Sequence, residues 1–152
     1  MATLWIDADA IPNVIKEIIC KAANRTSTPA VFVANRPTQL PGSKFLSYRV
    51  VSGGFDEADT AIVAACEAGD LVITNDIPLA SDAIAKGAQV INNRGEPLTK
   101  QNIGAKLNMR DFYDTMRASG IQGRGPAPLS AQDRQAFANG LDKYLAKLPK
   151  NA

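Results

Sequence analysis

Short apolar runs that stop at aspartate, each followed by a helical pattern, constrain this chain more than any other feature. LWID ends at Asp7, and LVITND ends at Asp76. Runs so continuous in Leu, Ile, Val and Trp suit strands covered by helices on both faces, as in parallel sheets. If the two are neighbours in one parallel sheet, their acids gather at one edge.

The rest of the first hundred residues keeps the alternation. Residues 4–7 read as a buried strand, and Pro12 stands near the start of a helix in which Val14, Ile15, Ile18 and Ile19 recur at helical spacing as far as Asn24. Residues 30–34 and 48–51 read as strands, 56–68 as a helix and 71–74 as a strand. A helix over 79–86, stopped by Gly87, precedes a last strand at 89–91. The order predicts a doubly wound α/β fold with five strands. Thr99 then looks like the N-cap of a helix reaching about Ala118, with Leu107, Phe112, Tyr113 and Met116 as core positions. A Gly- and Pro-rich stretch over 120–128 reads as an exposed linker. Ser130 and Asp133 form a capping-box pattern ahead of an apolar stripe of Phe137, Leu141, Tyr144, Leu145 and Leu148. The expected organisation is a domain over 1–119, the linker over 120–128, and a helix within 129–152 that packs back on the same domain.

Size and composition limit what this scaffold can do. At 152 residues, 45% hydrophobic and 21% charged, the chain suits one globular domain rather than a disordered one. No apolar run approaches the roughly 18 to 20 residues of a membrane-spanning helix. The N-terminus lacks a basic segment followed by an apolar stretch, so the reading is cytoplasmic. Cys20 and Cys66 lie singly within helix-like segments and are expected to be small buried apolar residues. Histidine is absent, which removes the commonest general base and the usual zinc ligand. The first hundred residues carry 9 Lys and Arg against 11 Asp and Glu, and the remainder 8 against 4. Such asymmetry suits a metal site beside a surface that meets an anionic polymer, although solvated helix faces give similar counts.

Five aspartates carry the chemistry: Asp7 and Asp9 in LWIDADAIP, Asp56 and Asp59 in GGFDEADTAIVAA, and Asp76 in LVITNDIPLA. Taken singly, each is explained by a helix start, where a carboxylate caps amides and opposes the macrodipole. Capping is equally well served by Ser, Thr or Asn, so it gives no reason for every such site to be acidic. Carboxylates sharing a cleft repel one another unless a cation joins them. An all-oxygen set without histidine or thiolate favours Mg2+ or Mn2+. In open α/β sheets sites form beyond the carboxyl ends of strands, where Asp7, Asp9 and Asp76 fall, while Asp56 and Asp59 share a helix face that can close the crevice. The chemistry suggested is metal-assisted hydrolysis of a phosphodiester. Thr74 and Asn75 are placed to orient a water or phosphate, and Ser52, Gly53 and Gly54 to let backbone approach the crevice. Arg36, Arg94 and Arg124 are candidate phosphate contacts, each with a plain surface role as the alternative.

The segments WIDADAIPNVIKEI, GGFDEADTAIVAACEAGDLVITNDIPLASDAIAKGAQVINNRGE and PAPLSAQDRQAFANGLDKYL resemble the YaiI/YqxD family, a branch of the PIN-like nuclease superfamily. The resemblance spans nearly the whole chain. It implies a PIN-like three-layer α/β/α fold with a mostly parallel sheet and extra C-terminal helices, and by superfamily analogy a magnesium- or manganese-dependent ribonuclease acting on RNA. Carried over by position, Asp7 matches the first-strand acid, Asp59 the acid early in the later helix and Asp76 the acid after the fourth strand, with Asp9 and Asp56 as additional or substituting ligands. One departure stands out. The superfamily commonly places a further acid between the first and third of these positions, where this chain offers only Glu17, inside a helix. A noncatalytic RNA- or protein-binding module on the same fold is therefore an alternative, and a homo-oligomer is compatible with either. Asp7-Ala8-Asp9 also resembles the nucleophile loop of haloacid-dehalogenase-type phosphatases, but Ile11 replaces the usual Thr or Val and no lysine motif precedes Asp76.

Overall fold

The structure, a computed structural model, describes residues 2–35, 39–51, 57–105 and 129–148, the side chains of Ala10 and residues 57–59 excepted. Strand β1 (Leu4–Asp7) leads through a 3-10 turn (Ala8–Ala10) into α1 (Asn13–Thr26), then β2 (Ala30–Ala34) and β3 (Leu46–Val50). Helix α2 (Glu57–Ala65), β4 (Leu71–Ile73), α3 (Ile77–Ala85), β5 (Gln89–Ile91) and β6 (Pro97–Leu98) follow. Residues 100–105 are helical (α4), and α5 spans Ala131–Ala146.

The strands form one sheet in the order β3-β2-β1-β4-β5-β6. All pairings are parallel except that of β5 with β6. The chain winds outward from β1 to β3 on one side, then returns and winds outward from β4 on the other. The switch point lies between β1 and β4, whose register pairs Leu4 with Leu71 and Ile6 with Ile73.

The apolar faces divide cleanly. Leu4, Ile6, Phe32, Leu71 and Ile73 pack on one face with Ile15 and Ile19 of α1 and Phe137, Leu141 and Tyr144 of α5. Trp5, Val33, Val72 and Val90 pack on the other with Ile62 of α2 and Leu79, Ala80 and Ala83 of α3. The fold is a three-layer α/β/α sandwich, and both faces of the central strands are dry, which is why their sequences read as unbroken apolar runs. No described helix is long and apolar enough to cross a membrane.

Several boundaries differ from expectation. Among the described residues the sheet has six strands rather than five: β6 is two residues long, begins with proline and pairs antiparallel with β5, so it carries no periodicity to read. Strand β3 starts two residues before Tyr48, because Leu46 packs into the core while the residues after it are exposed. Helix α1 runs past Asn24 to Thr26 and stops where Ser27 turns left-handed, at φ 54°. Helix α2 ends at Ala65 rather than Ala68. Helix α3 starts at Ile77, because Asp76 caps it and proline occupies an early position.

Expectations at the helix ends and in the core hold elsewhere. Thr99 and Asn102 cap α4 reciprocally: Thr99 N–H donates to Asn102 Oδ1 at 2.8 Å, and Asn102 N–H to Thr99 Oγ1 at 3.3 Å. The Ser130–Asp133 capping box opens α5, and its apolar stripe packs on the core, with Leu148 partly buried beside it. Both cysteines are free and buried. Leu107, Phe112, Tyr113, Met116 and the 120–128 linker lie outside the described residues.

Asp70 anchors the amino-terminal end of the sheet. Its carboxylate accepts Thr3 N–H, the Trp5 indole Nε1–H and Glu67 N–H, each at 3.0 Å. Next to it the Tyr144 hydroxyl donates to the Gly69 carbonyl at 2.6 Å. Burial, reinforced by the Asp70 charge, pushes that phenol up to about 12.

Candidate active site

At the opposite end of the sheet, β1 and β4 deliver Asp7 and Thr74 side by side at the switch point. Thr74 is buried, 2% exposed, and its hydroxyl donates to Asp7 Oδ2 at 2.9 Å. The threonine Oγ1 itself accepts Asp76 N–H at 2.9 Å. Asp76 in turn caps α3, Leu79 N–H donating to its Oδ1 at 2.9 Å. One threonine thus fixes one carboxylate and orders the turn that presents the other.

Each acid spends one oxygen on this scaffold. No hydrogen bond among the described residues engages Asp7 Oδ1 or Asp76 Oδ2. Burial pushes the Asp7 carboxyl above the ordinary aspartate range; the Thr74 hydrogen bond opposes that shift, and the charges of Asp76 and Asp9 add to it. An electrostatic deficit of this sign is what a bound cation relieves.

Asp9 is held differently. Asn35 N–H, just beyond β2, donates to both of its oxygens, at 3.0 and 3.1 Å, tying the 3-10 turn to the neighbouring strand end. This use of Asp9 could not be read from the sequence, since Asn35 acts through backbone alone. Asn75, a candidate phosphate contact, accepts Asn93 N–H at 2.9 Å and joins the loops that follow β4 and β5. Arg94 forms an ion pair with Asp133 and so ties the β5–β6 turn to the start of α5. Asp59 lies in the first turn of α2, with its side chain outside the described residues. Asp56, Arg36, Arg124 and residues 52–54 also lie outside them.

Of the five aspartates, then, Asp7 and Asp76 are brought together around Thr74, and Asp9 is near enough for its charge to act on Asp7. Among the described residues there is no group of three or more metal-ligating side chains.

Known proteins place the chain directly. A family model described as "Uncharacterized BCR, YaiI/YqxD family" matches residues 5–147. The UPF0178 protein YaiI of Escherichia coli O81 (strain ED1a) is 56% identical over 149 residues, covering 98% of each chain. A UPF0178 protein of Cronobacter sakazakii is 55% identical over 149 residues, covering 98% of this chain and 99% of the relative. Another, from Shewanella amazonensis, is 56% identical over 147 residues, covering 97% and 99%. No solved structure matches the chain significantly. With a family model covering nearly its whole length and bacterial relatives matched end to end, this chain belongs to the YaiI/YqxD family.

Proposed function

We propose that the crevice beyond β1 and β4 is a magnesium- or manganese-dependent phosphodiester hydrolase site, with RNA as its substrate. The observation that carries the reading is the pairing of Asp7 and Asp76 through Thr74 at the switch point of the sheet, where open α/β folds place their ligands. The donor set fits a hard cation: two carboxylates each keep one oxygen without a described donor, and neither histidine nor thiolate stands beside them. When bound, such an ion lowers the pKa of a coordinated water and stabilises charge on the transferring phosphate. Asp7 and Asp76 are the residues to hold it, and Asp59, carried in the first turn of α2, is the third ligand by resemblance.

Thr74 serves as a positioning residue. Its hydroxyl has one donor proton, which goes to Asp7, and its lone pair takes the Asp76 amide, so both acids are fixed before any ligand arrives. By lowering the proton affinity of Asp7, this hydrogen bond opposes the rise that burial imposes. The held position of Asp9, with both oxygens on Asn35 N–H, favours a second reading in which the site binds RNA without cutting it, because Asp9 is then less free to replace the missing intermediate acid.

The decisive measurement combines manganese titration with cleavage of labelled RNA by the purified chain. Manganese-dependent cleavage that is lost in Asp7→Asn and Asp76→Asn supports hydrolysis. RNA binding that survives both substitutions without any cleavage establishes the noncatalytic module. Turnover of a chromogenic phosphomonoester with none on RNA overturns both in favour of phosphatase chemistry.

A further inference from the structure

The outer edge of the sheet at β3 is the second place where the structure leaves strong groups unused. Ala30 N–H donates to the Phe45 carbonyl at 2.8 Å, and Val51 N–H to the Ala34 carbonyl at 2.9 Å. In a parallel pair these bonds fix the parity of the whole strand: the backbone groups of 45, 47, 49 and 51 face β2, and those of Leu46, Tyr48 and Val50 face outward. The Leu46 amide is taken by the Ser43 carbonyl at 3.3 Å, but no described residue pairs with the outward groups of Tyr48 and Val50. These two residues are also the exposed large hydrophobics among the described residues, at 51% and 46%.

Edge strands that must stay single are usually guarded by charge, proline or a bulge. Residues 46–50 contain neither proline nor an acid, and their one cation, Arg49, although exposed, reaches back across the sheet with its guanidinium 5.5 Å from the Trp5 ring centroid. We infer that β3 is the interface for a second copy of this chain, the two β3 strands pairing antiparallel about Tyr48 so that two sheets become one. In that register Tyr48 faces Tyr48 of the other copy, Leu46 faces Val50, and Ser47 faces Arg49. The exposed tyrosines meet each other, Val50 lies opposite a Leu46 packed into its own core, and no like charges stand directly opposite. Aromatic and β-branched cross-strand pairs are the stabilising kind, and a two-fold operator closes the edge instead of propagating it. A single strand pair is a small interface, so the dimer is expected to dissociate on dilution. The inference rests on the fold alone and is independent of the chemistry at Asp7.

Sedimentation velocity on the full chain across a dilution series tests it. The expected result is a dimer that Val50→Lys and Tyr48→Lys each convert to monomer with an unchanged circular dichroism spectrum. Tyr48→Cys gives a second readout. A hydrogen-bonded antiparallel pair holds its Cα atoms about 5.5 Å apart, within disulfide reach, so mild oxidation should yield a covalent dimer of Tyr48→Cys and none of the wild type. A wild-type chain that stays monomeric at its highest soluble concentration overturns the inference, as does a dimer that survives both lysine substitutions.

Discussion

Thr74 Oγ1 stands 2.9 Å from Asp7 Oδ2, joining the ends of β1 and β4 across the one gap in the sheet where the winding direction reverses. The contact spans 67 residues of sequence and is made by a buried hydroxyl with no slack in its bonding. Replacing it tests both structure and chemistry. Thr74→Val keeps the shape, removes the donor that restrains Asp7, and leaves the Asp76 amide without its acceptor. A loss of about 1 to 3 kcal/mol is expected in urea unfolding, since an unsatisfied buried polar group costs that much. The Asp7 titration followed by carboxyl NMR should move further upward, while Thr74→Ser preserves both.

Asp7 itself should behave as a site residue held at a cost. Its folded pKa is raised, so folding is least penalised where the carboxyl is protonated in both states and becomes more penalised as pH rises from the unfolded value through the folded one. Asp7→Asn removes the penalty while its amide oxygen can still accept from Thr74. At neutral pH and without metal the variant is expected to be at least as stable as the parent. A melting temperature well below that of the parent contradicts this.

On the proposed reading, the same shift makes metal binding sensitive to acid. Protons and cations compete for Asp7, so manganese affinity should begin to fall, as pH is lowered, earlier than an ordinary aspartate would predict. Calorimetric titrations across the acidic range, in parent and Thr74→Val, check the direction: the variant should lose affinity at the higher pH.

At the far end of the sheet, Asp70→Ala should be severely destabilising. Three donors, from Thr3, Trp5 and Glu67, would lose one shared acceptor. A cost of about 3 kcal/mol or more is expected in denaturant unfolding, with the indole fluorescence of Trp5, the chain's one tryptophan, reporting the change.

Gly95 offers a test of the seat of α5. It takes φ +78°, and a Cβ there would come within 2.8 Å of Phe137 Cα in α5. Gly140 on that helix faces back, its own Cβ position 2.9 Å from the Gly95 carbonyl oxygen. Gly95→Ala combines an unfavourable backbone with a backbone clash, and a loss of about 2 kcal/mol or more is expected in thermal or urea unfolding.

What the sequence disclosed follows from where physical constraints are local. The strands β1, β2, β4 and β5 are dry on both faces, so composition alone marks them, and the Ser130–Asp133 cap is complete within four residues. The position of Asp7 and Asp76 at one edge followed from parallel strands ending together. β6 is illegible because two residues carry no period, and the start of β3 is obscured because only Leu46 of its five residues is buried. The partners of Asp9 and Arg94 were illegible for a different reason: Asn35 acts through an amide that every residue but proline possesses, and Asp133 lies 39 residues from Arg94.

The two ends of the β1–β4 seam divide the labour of the molecule. At one end Asp70 is saturated by the protein's own donors, and at the other Asp7 and Asp76 retain unspent acceptors. On the proposed reading, folding and ligand binding draw on different carboxylates of the same strand pair. Selection or engineering can retune the chemistry at one end while the scaffold's own stability is set at the other.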